Sequence, residues 1–466
     1  MKPTMTVAQP SAPIALALLS LSLSMLLAAL GTSIVNVGLP TLAEAFDASF
    51  QQVQWVLIAY LLAITTLIVS VGRLGDKLGR RRLLLSGIAL FTFASALCGL
   101  APSLGVLIGA RALQGLAAAI MMALTMALVG ESVPKASTGS AMGLLGTMSA
   151  VGTAMGPSLG GLLIDGFGWR AMVLVTVPLG LLTWLLAYRH LPAAAPTPKV
   201  PSAGFDSLGT ALLALTLGAY ALAMTLGHGS FGWLNGALLL GALLGLGLFI
   251  HVEARAASPL ISLNIFRDRH LSASLVMSAL VTTVMMATLV VGPFYLAQGL
   301  GLETLRVGLV LSVGPVVAAL TSVPAGRVVD RFGTRRITFG GLGAMVLGCL
   351  GLSALPLGSG IVGYVAPMMV VTLGYALFQT ANNTGVMAQV TQDNRGVIAG
   401  LLNLSRNLGL VTGASVLGAV FAMASTAATH NLAHPQAVAS GMRITFAVAL
   451  VLVGMALVIA LVNRSR

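Results

Sequence analysis

Charge is what this chain has least of. Of its 466 residues, 11 are acidic and 24 basic, only 8% in all, where a soluble domain carries about 25%. There are two cysteines, Cys98 and Cys349, each inside an apolar run, so neither a disulfide framework nor a thiolate metal site is expected. No glycine-rich phosphate loop ending in Lys-Ser/Thr occurs, which argues against ATP-driven chemistry. No Ser/His/Asp, Cys/His or paired-carboxylate cluster occurs, and no loop is long enough to form a soluble domain. The sequence therefore does not read as an enzyme, and no cofactor or metal is expected. The basic residues fall between apolar runs and form no basic domain, so the net charge of +13 does not point to nucleic acid.

What remains is apolar: 57% hydrophobic residues and a mean hydropathy of +1.00. A helix needs about 20 apolar residues to cross the ~30 Å hydrocarbon layer. Such segments fall at 14–36, 51–71, 83–101, 105–128, 139–164, 170–188, 207–227, 233–251, 271–296, 305–325, 337–356, 361–384, 397–424 and 441–462, fourteen in all. The first is too long for a signal-peptide core and reads as a retained helix. With the N-terminus, the even-numbered loops and the C-terminus on one side, that side holds 19 of the 24 Lys and Arg and the other only three. Positive residues favour the cytoplasm, so both termini are expected there. An all-α, multi-pass protein of the inner membrane is expected, its working contacts being the bilayer and a small solute.

The charge that exists is concentrated. "GRLGDKLGRRRLL" opens at Gly72, and "GRVVDRFGTRR" at Gly326 repeats it. Gly72, Arg73, Asp76, Gly79, Arg81 and Arg82 align with Gly326, Arg327, Asp330, Gly333, Arg335 and Arg336, each pair 254 residues apart. The first copy follows segment 2 and the second follows segment 10, two more than a plain six-plus-six repeat requires. The surplus is the pair at 207–251, read as an insertion outside the transport core. The division is then 1–190, an N-terminal six-helix bundle; 191–252, linker and two inserted helices; and 253–466, a C-terminal six-helix bundle. Internal repeats of this kind belong to secondary transporters that rock two halves about a central site.

The first copy resembles the loop between helices 2 and 3 of the major facilitator superfamily. "RALQG" from Arg111 resembles its helix-4 pattern, and "GTAMGPSLGG" from Gly152 the helix-5 pattern of its proton-coupled drug exporters. "TSIVNVGLP" from Thr32 resembles helix 1 of the fourteen-helix drug:proton antiporters. The resemblance implies a secondary active exporter of small organic compounds exchanging substrate for protons by alternating access, acting as a monomer. The alternative is an importer or facilitator of a small nutrient, such as a vitamin, on the same fold.

Site candidates follow. For the gating loops they are Gly72, Asp76, Gly79, Arg80 and Arg81, with Gly326, Asp330, Gly333 and Arg335. The glycines would allow a tight turn, and Asp76, just beyond segment 2, would latch the cytoplasmic face by pairing with an arginine and a helix N-terminus. Gly152, Gly156, Gly160 and Gly161, with Pro157 among them, would make a smooth, bent face for the seam between halves. Arg111 is costly within the membrane unless it meets a partner or a polar cavity, and Gln114 shares its face. Polar groups for the cavity are Asn36, Gln54, Tyr60, Gln114, Tyr295, Gln298, Gln379, Asn382, Asn383 and Arg406. Trp55 and Trp169 are expected as interfacial anchors. The fourteen-helix exporters usually carry an aspartate just before the helix-1 stretch, where this chain has Gly31. Arg111, Glu131 and Asp165 are left as proton-coupling candidates, and the substrate is expected to be neutral or anionic.

Overall fold

A computed structural model describes residues 12–132, 138–191, 207–226, 232–256, 268–388, 395–429 and 434–463. No strand occurs among them. The helices are α1 (Ala12–Ala45), α2 (Phe50–Leu78), α3 (Arg80–Gly99), α4 (Leu104–Ser132), α5 (Thr138–Phe167), α6 (Trp169–His190, interrupted at Val175), α7 (Ser207–Thr225) and α8 (Trp233–Arg255). They continue with α9 (Arg269–Phe294, extended by a π turn Tyr295–Gly299), α10 (Thr304–Phe332), α11 (Thr334–Ser353) and α12 (Gly360–Ala388). α13 has three pieces, Arg395–Thr412, a π turn Gly413–Leu417 and Gly418–Thr429, and α14 is His434–Val462. Thirteen stretches among the described residues are long and apolar enough to cross a membrane; α5 is not one of them, although its 30 residues pack between α1 and α10.

The outward faces explain the composition. Leu320, Leu347 and Val362 are 71%, 65% and 78% exposed, and Leu243 and Leu244 of α8 are each 66% exposed. Apolar side chains spread over the outside of a bundle are at home only in hydrocarbon. Inside, one buried cluster fills the N-terminal bundle and admits Met286, Val290, Val411 and Ala414 from the other half. A second runs from α1, α2, α5 and α6 into α9–α14, so the two bundles share buried surface.

The two repeated loops are shorter than their sequence suggests. α2 continues through Gly72, Gly75 and Asp76 to Leu78, and α10 continues through Gly326 and Asp330 to Phe332. No proline interrupts residues 72–78, so the helix runs on until a residue must take positive φ. Gly79 does so at φ 89° and Gly333 at φ 84°, and each ends one helix and begins the next. Asp76 therefore belongs to the last turns of α2 rather than to the loop; its side chain lies outside the described residues.

The inserted pair divides in two. α8 packs chiefly on α7, whereas α7 also packs against α2 and α13. Trp55 Nε1 donates to Thr225 Oγ1 at 2.9 Å, and the Tyr220 hydroxyl lies beside Thr412 and Ser415 of α13. α7 thus touches both halves, unlike the insertion outside the core that the repeat offset suggests. Deleting 205–254 with a short linker is expected to leave the protein in the membrane but to lower its thermal midpoint by several degrees, read by size-exclusion chromatography after heating. An unchanged midpoint would place α7 outside the packing.

Candidate functional site

Arg111 is fully buried at the centre of the N-terminal bundle. Its Nε donates to the Val56 carbonyl at 3.1 Å and its Nη1 to Gln114 Oε1, while the guanidinium lies 4.2 Å from the centroid of the Tyr60 ring. Gln114 Nε2 donates to Ser95 Oγ at 2.7 Å, and the Tyr60 hydroxyl to the Ala28 carbonyl at 2.8 Å. A single network therefore ties α1 through α4 together. Gly115 makes this possible, since a Cβ there would fall 2.4 Å from the Tyr60 carbonyl oxygen. Arg111 Nη2 has no hydrogen-bond partner. The cation rests on a carbonyl, an amide and an aromatic face. Gly31 borders the same group: a Cβ there would lie 3.0 Å from Phe91 Cζ and 3.2 Å from the Tyr60 hydroxyl. Phe91 and Tyr60 occupy the space into which an acid at position 31 would project.

The glycine face of α5 serves two neighbours. Gly152, Gly156 and Gly160 seat α1: a Cβ on each would fall 2.6 Å from the Leu26 carbonyl oxygen, 1.9 Å from Ser33 Oγ and 2.8 Å from the Ile34 carbonyl oxygen. Gly161 meets the other half, where a Cβ would lie 2.9 Å from the Thr304 carbonyl oxygen. Gly308 answers it from α10, with the Pro157 carbonyl 2.4 Å from the place a Cβ would take. The expected seam is thus formed by Pro157 and Gly161; the other three glycines pack within their own half.

Two further contacts join the halves. Gln54 Nε2 donates to the Ala414 carbonyl in the π turn of α13, at 3.2 Å. A π turn frees backbone carbonyls from the helical ladder, which gives the amide an acceptor. Phe50 stacks on Phe294 and Phe421 with centroids 4.6 and 5.1 Å away. Phe50 and Gln54 open α2, Thr304 opens α10 and Gly161 nears the end of α5. These contacts lie toward the face opposite the loops at Gly79 and Gly333, hereafter the basic face.

The remaining candidates scatter. Asn36 is 1% exposed, and its Oδ1 has no partner. Tyr295 and Gln298 lie on the π turn of α9, with Tyr295 packed 5.7 Å from Tyr364. Gln379 donates to Asn383 Oδ1 at 3.4 Å rather than joining Asn382, which reaches toward the Ser274 carbonyl of α9. Arg406 is exposed on α13. Asp165 is exposed near the end of α5, away from Arg111, and the side chain of Glu131 lies outside the described residues. The three coupling candidates do not share one site. Trp55 and Trp169 are not free anchors, because Trp55 bonds α7 and Trp169 packs on Phe46 at 5.2 Å. The Phe50–Phe294–Phe421 group escaped sequence reading, since its members are far apart in the chain and each looks like an ordinary apolar residue.

Comparison with known proteins follows this geometry. The family model described as Major Facilitator Superfamily matches residues 21–414. Multidrug resistance protein Stp of Mycobacterium tuberculosis is 32% identical over 419 residues, covering 87% of this chain and 76% of Stp. Drug efflux pump JefA of the same organism is 32% identical over 439 residues, 89% and 82%. Riboflavin transporter RibZ of Clostridioides difficile is 28% identical over 410 residues, 88% of each chain. Among solved structures, a bacterial homolog of the human lysosomal transporter Spinster, in an inward-facing and occupied conformation, superposes with a TM-score of 0.72 at 15% identity, covering 98% of each chain. The nucleoside transporter NupG superposes with a TM-score of 0.66 at 15% identity, covering 97% of this chain and 98% of its own.

Proposed function

The chain belongs to the major facilitator superfamily, and on that premise we propose that this multi-pass membrane transporter exports small organic compounds in exchange for protons. The observation that carries this reading is the α5 stretch Gly152–Gly161. It resembles the helix-5 pattern of proton-coupled exporters, and its Pro157 and Gly161 press on Gly308 of the opposite half. The relatives named for drug efflux, at 32% identity, support the same reading. The basic face is cytoplasmic in this proposal, the membrane is the inner one, and both termini lie inside. The contacts at Phe50, Gln54 and Gly161 then close the external end, and substrate enters from the cytoplasm. Asp76 and Asp330, near the basic ends of α2 and α10, latch that face in the opposite state.

A second reading is favoured by one observation. Gly31 leaves helix 1 without a titrating acid, and RibZ, named for riboflavin, matches 88% of the chain. A facilitator or importer of a small nutrient needs no such acid.

Inside-out vesicles with an acidic lumen separate the two. Loaded outside with a carboxyfluorescein-type anion or with riboflavin, they are expected to accumulate the dye while the lumen turns alkaline. Asp76→Asn is expected to slow uptake several-fold, and loss of alkalinisation in Asp165→Asn or Glu131→Gln would mark the coupling acid. Riboflavin movement with no proton flux would give the result to the second reading.

A further inference from the structure

The repeated motif is used differently in its two copies. In the N-terminal half, Arg81 Nη2 donates to the Tyr188 carbonyl at 2.6 Å, and the guanidinium lies 5.8 Å from the Tyr188 ring centroid. Tyr188 is in the last turn of α6, where carbonyls lack helical donors and carry partial negative charge. Arg81 therefore caps α6. Its counterpart Arg335 instead lines a cavity of about 430 Å³ at the basic face, walled by α9, α11, α12 and α14. Ligand pockets run from about 300 to 1,000 Å³, so this space is large enough to hold a small group.

The lining carries both signs of charge. Arg335 and the His270 imidazole share it with Asp268, whose Oδ1 accepts from the backbone N–H groups of His270 and Leu271 at 2.9 and 3.2 Å. Asn382, 5% exposed, also lines it and reaches the Ser274 carbonyl only at 3.4 Å. α11 starts at Gly333 without a side-chain cap, so the N–H groups of its first turn receive none. Phe339 supplies an apolar wall.

We propose that this cavity binds a phosphate–ammonium zwitterion, the group shared by an ethanolamine phospholipid headgroup and soluble phosphoethanolamine. A bare phosphate would meet the Asp268 carboxylate, and a bare cation would meet Arg335. A zwitterion satisfies both, with phosphate on Arg335 and the uncapped α11 terminus, a primary ammonium on Asp268, and the short stem on Phe339.

Native mass spectrometry of the full chain in detergent tests this with three probes: short-chain phosphatidylethanolamine, short-chain phosphatidylcholine and phosphoethanolamine. Wild type is expected to retain phosphatidylethanolamine. Arg335→Gln and Asp268→Asn are each expected to weaken it about tenfold, which is about 1.4 kcal/mol, near the low end for a hydrogen bond to a charged group. Asparagine caps helices as well as aspartate does, so Asp268→Asn keeps the start of α9. An unchanged thermal midpoint confirms that fold, and Arg336→Gln, outside the cavity lining, is expected to bind as wild type does. Retention of the lipid alone assigns a membrane source, and equal retention of phosphoethanolamine assigns a soluble one. No adduct with either, adducts indifferent to both substitutions, or equal binding of phosphatidylcholine, whose quaternary ammonium donates no hydrogen bond, would overturn the proposal.

Discussion

Gly308→Val is expected to cut transport at least tenfold while the amount inserted in the membrane stays within about twofold of wild type. The reason is local. A Cβ at position 308 would stand 2.4 Å from the Pro157 carbonyl oxygen and 3.2 Å from the Gly161 Cα, both backbone atoms of the opposite half. A flexible side chain could swing aside, but α5 cannot, because Gly152, Gly156 and Gly160 hold it equally tightly on α1. Only the distance between halves can yield. Overpacking costs about 1–3 kcal/mol, and a bias of that size between two states shifts their ratio roughly 5- to 150-fold. The substitution should therefore hold the protein open at this end and leave each bundle folded. Gly343→Val is the control, since nothing lies within 4 Å of a Cβ there. The measurement is dye flux into vesicles, normalised to inserted protein. Wild-type flux in Gly308→Val would mean that this contact is not remade in the transport cycle.

Hydropathy made the helices legible, because a span must be apolar for its full length and must begin and end near charge. Each of the fourteen apolar segments falls within the helical elements of the structure, apart from a few residues at the ends of some. The 254-residue repeat was equally readable, since it rests on charged residues that are rare elsewhere. Helix ends in the motifs were less so. Glycine at 72 and 75 lowers helix propensity without forbidding helix, and only the backbone reveals that Gly79 alone turns. Contacts between distant segments were not readable at all. Gln54 looked like a cavity group, yet its partner is the Ala414 carbonyl, exposed by a π turn that no residue type announces. The absence at Gly31 was visible as a missing acid; that Phe91 and Tyr60 fill the space is a fact of packing.

That packing bears on Arg111, and Arg111→Met is expected to separate structure from transport. An arginine inside the membrane costs about 2.5–3.5 kcal/mol by insertion measurements. Hydrogen bonds to a charged group return roughly 1.5–3 kcal/mol each, and the contact with the Tyr60 ring about 0.5–2 kcal/mol more. These terms nearly cancel, so an apolar chain of similar length should be tolerated. The main cost is Gln114 Oε1, which loses its donor at about 1–3 kcal/mol, although Gln114 Nε2 keeps Ser95. The thermal midpoint should accordingly fall by only a few degrees. Transport should behave otherwise. If the cation carries or polarises the proton path through Nη2, which has no partner of its own, proton-coupled flux should drop at least tenfold, since one such interaction is worth 1.4 kcal/mol or more. Arg111→Lys should recover only part of that flux: an ammonium keeps the charge but cannot reach Val56, Gln114 and the Tyr60 face together. A purely structural arginine predicts the reverse order, with lysine rescuing the midpoint and methionine transporting as well as wild type. Measuring the midpoint and the pH-driven flux on the same three proteins decides between them, and wild-type coupling in Arg111→Met would remove Arg111 from the proton path.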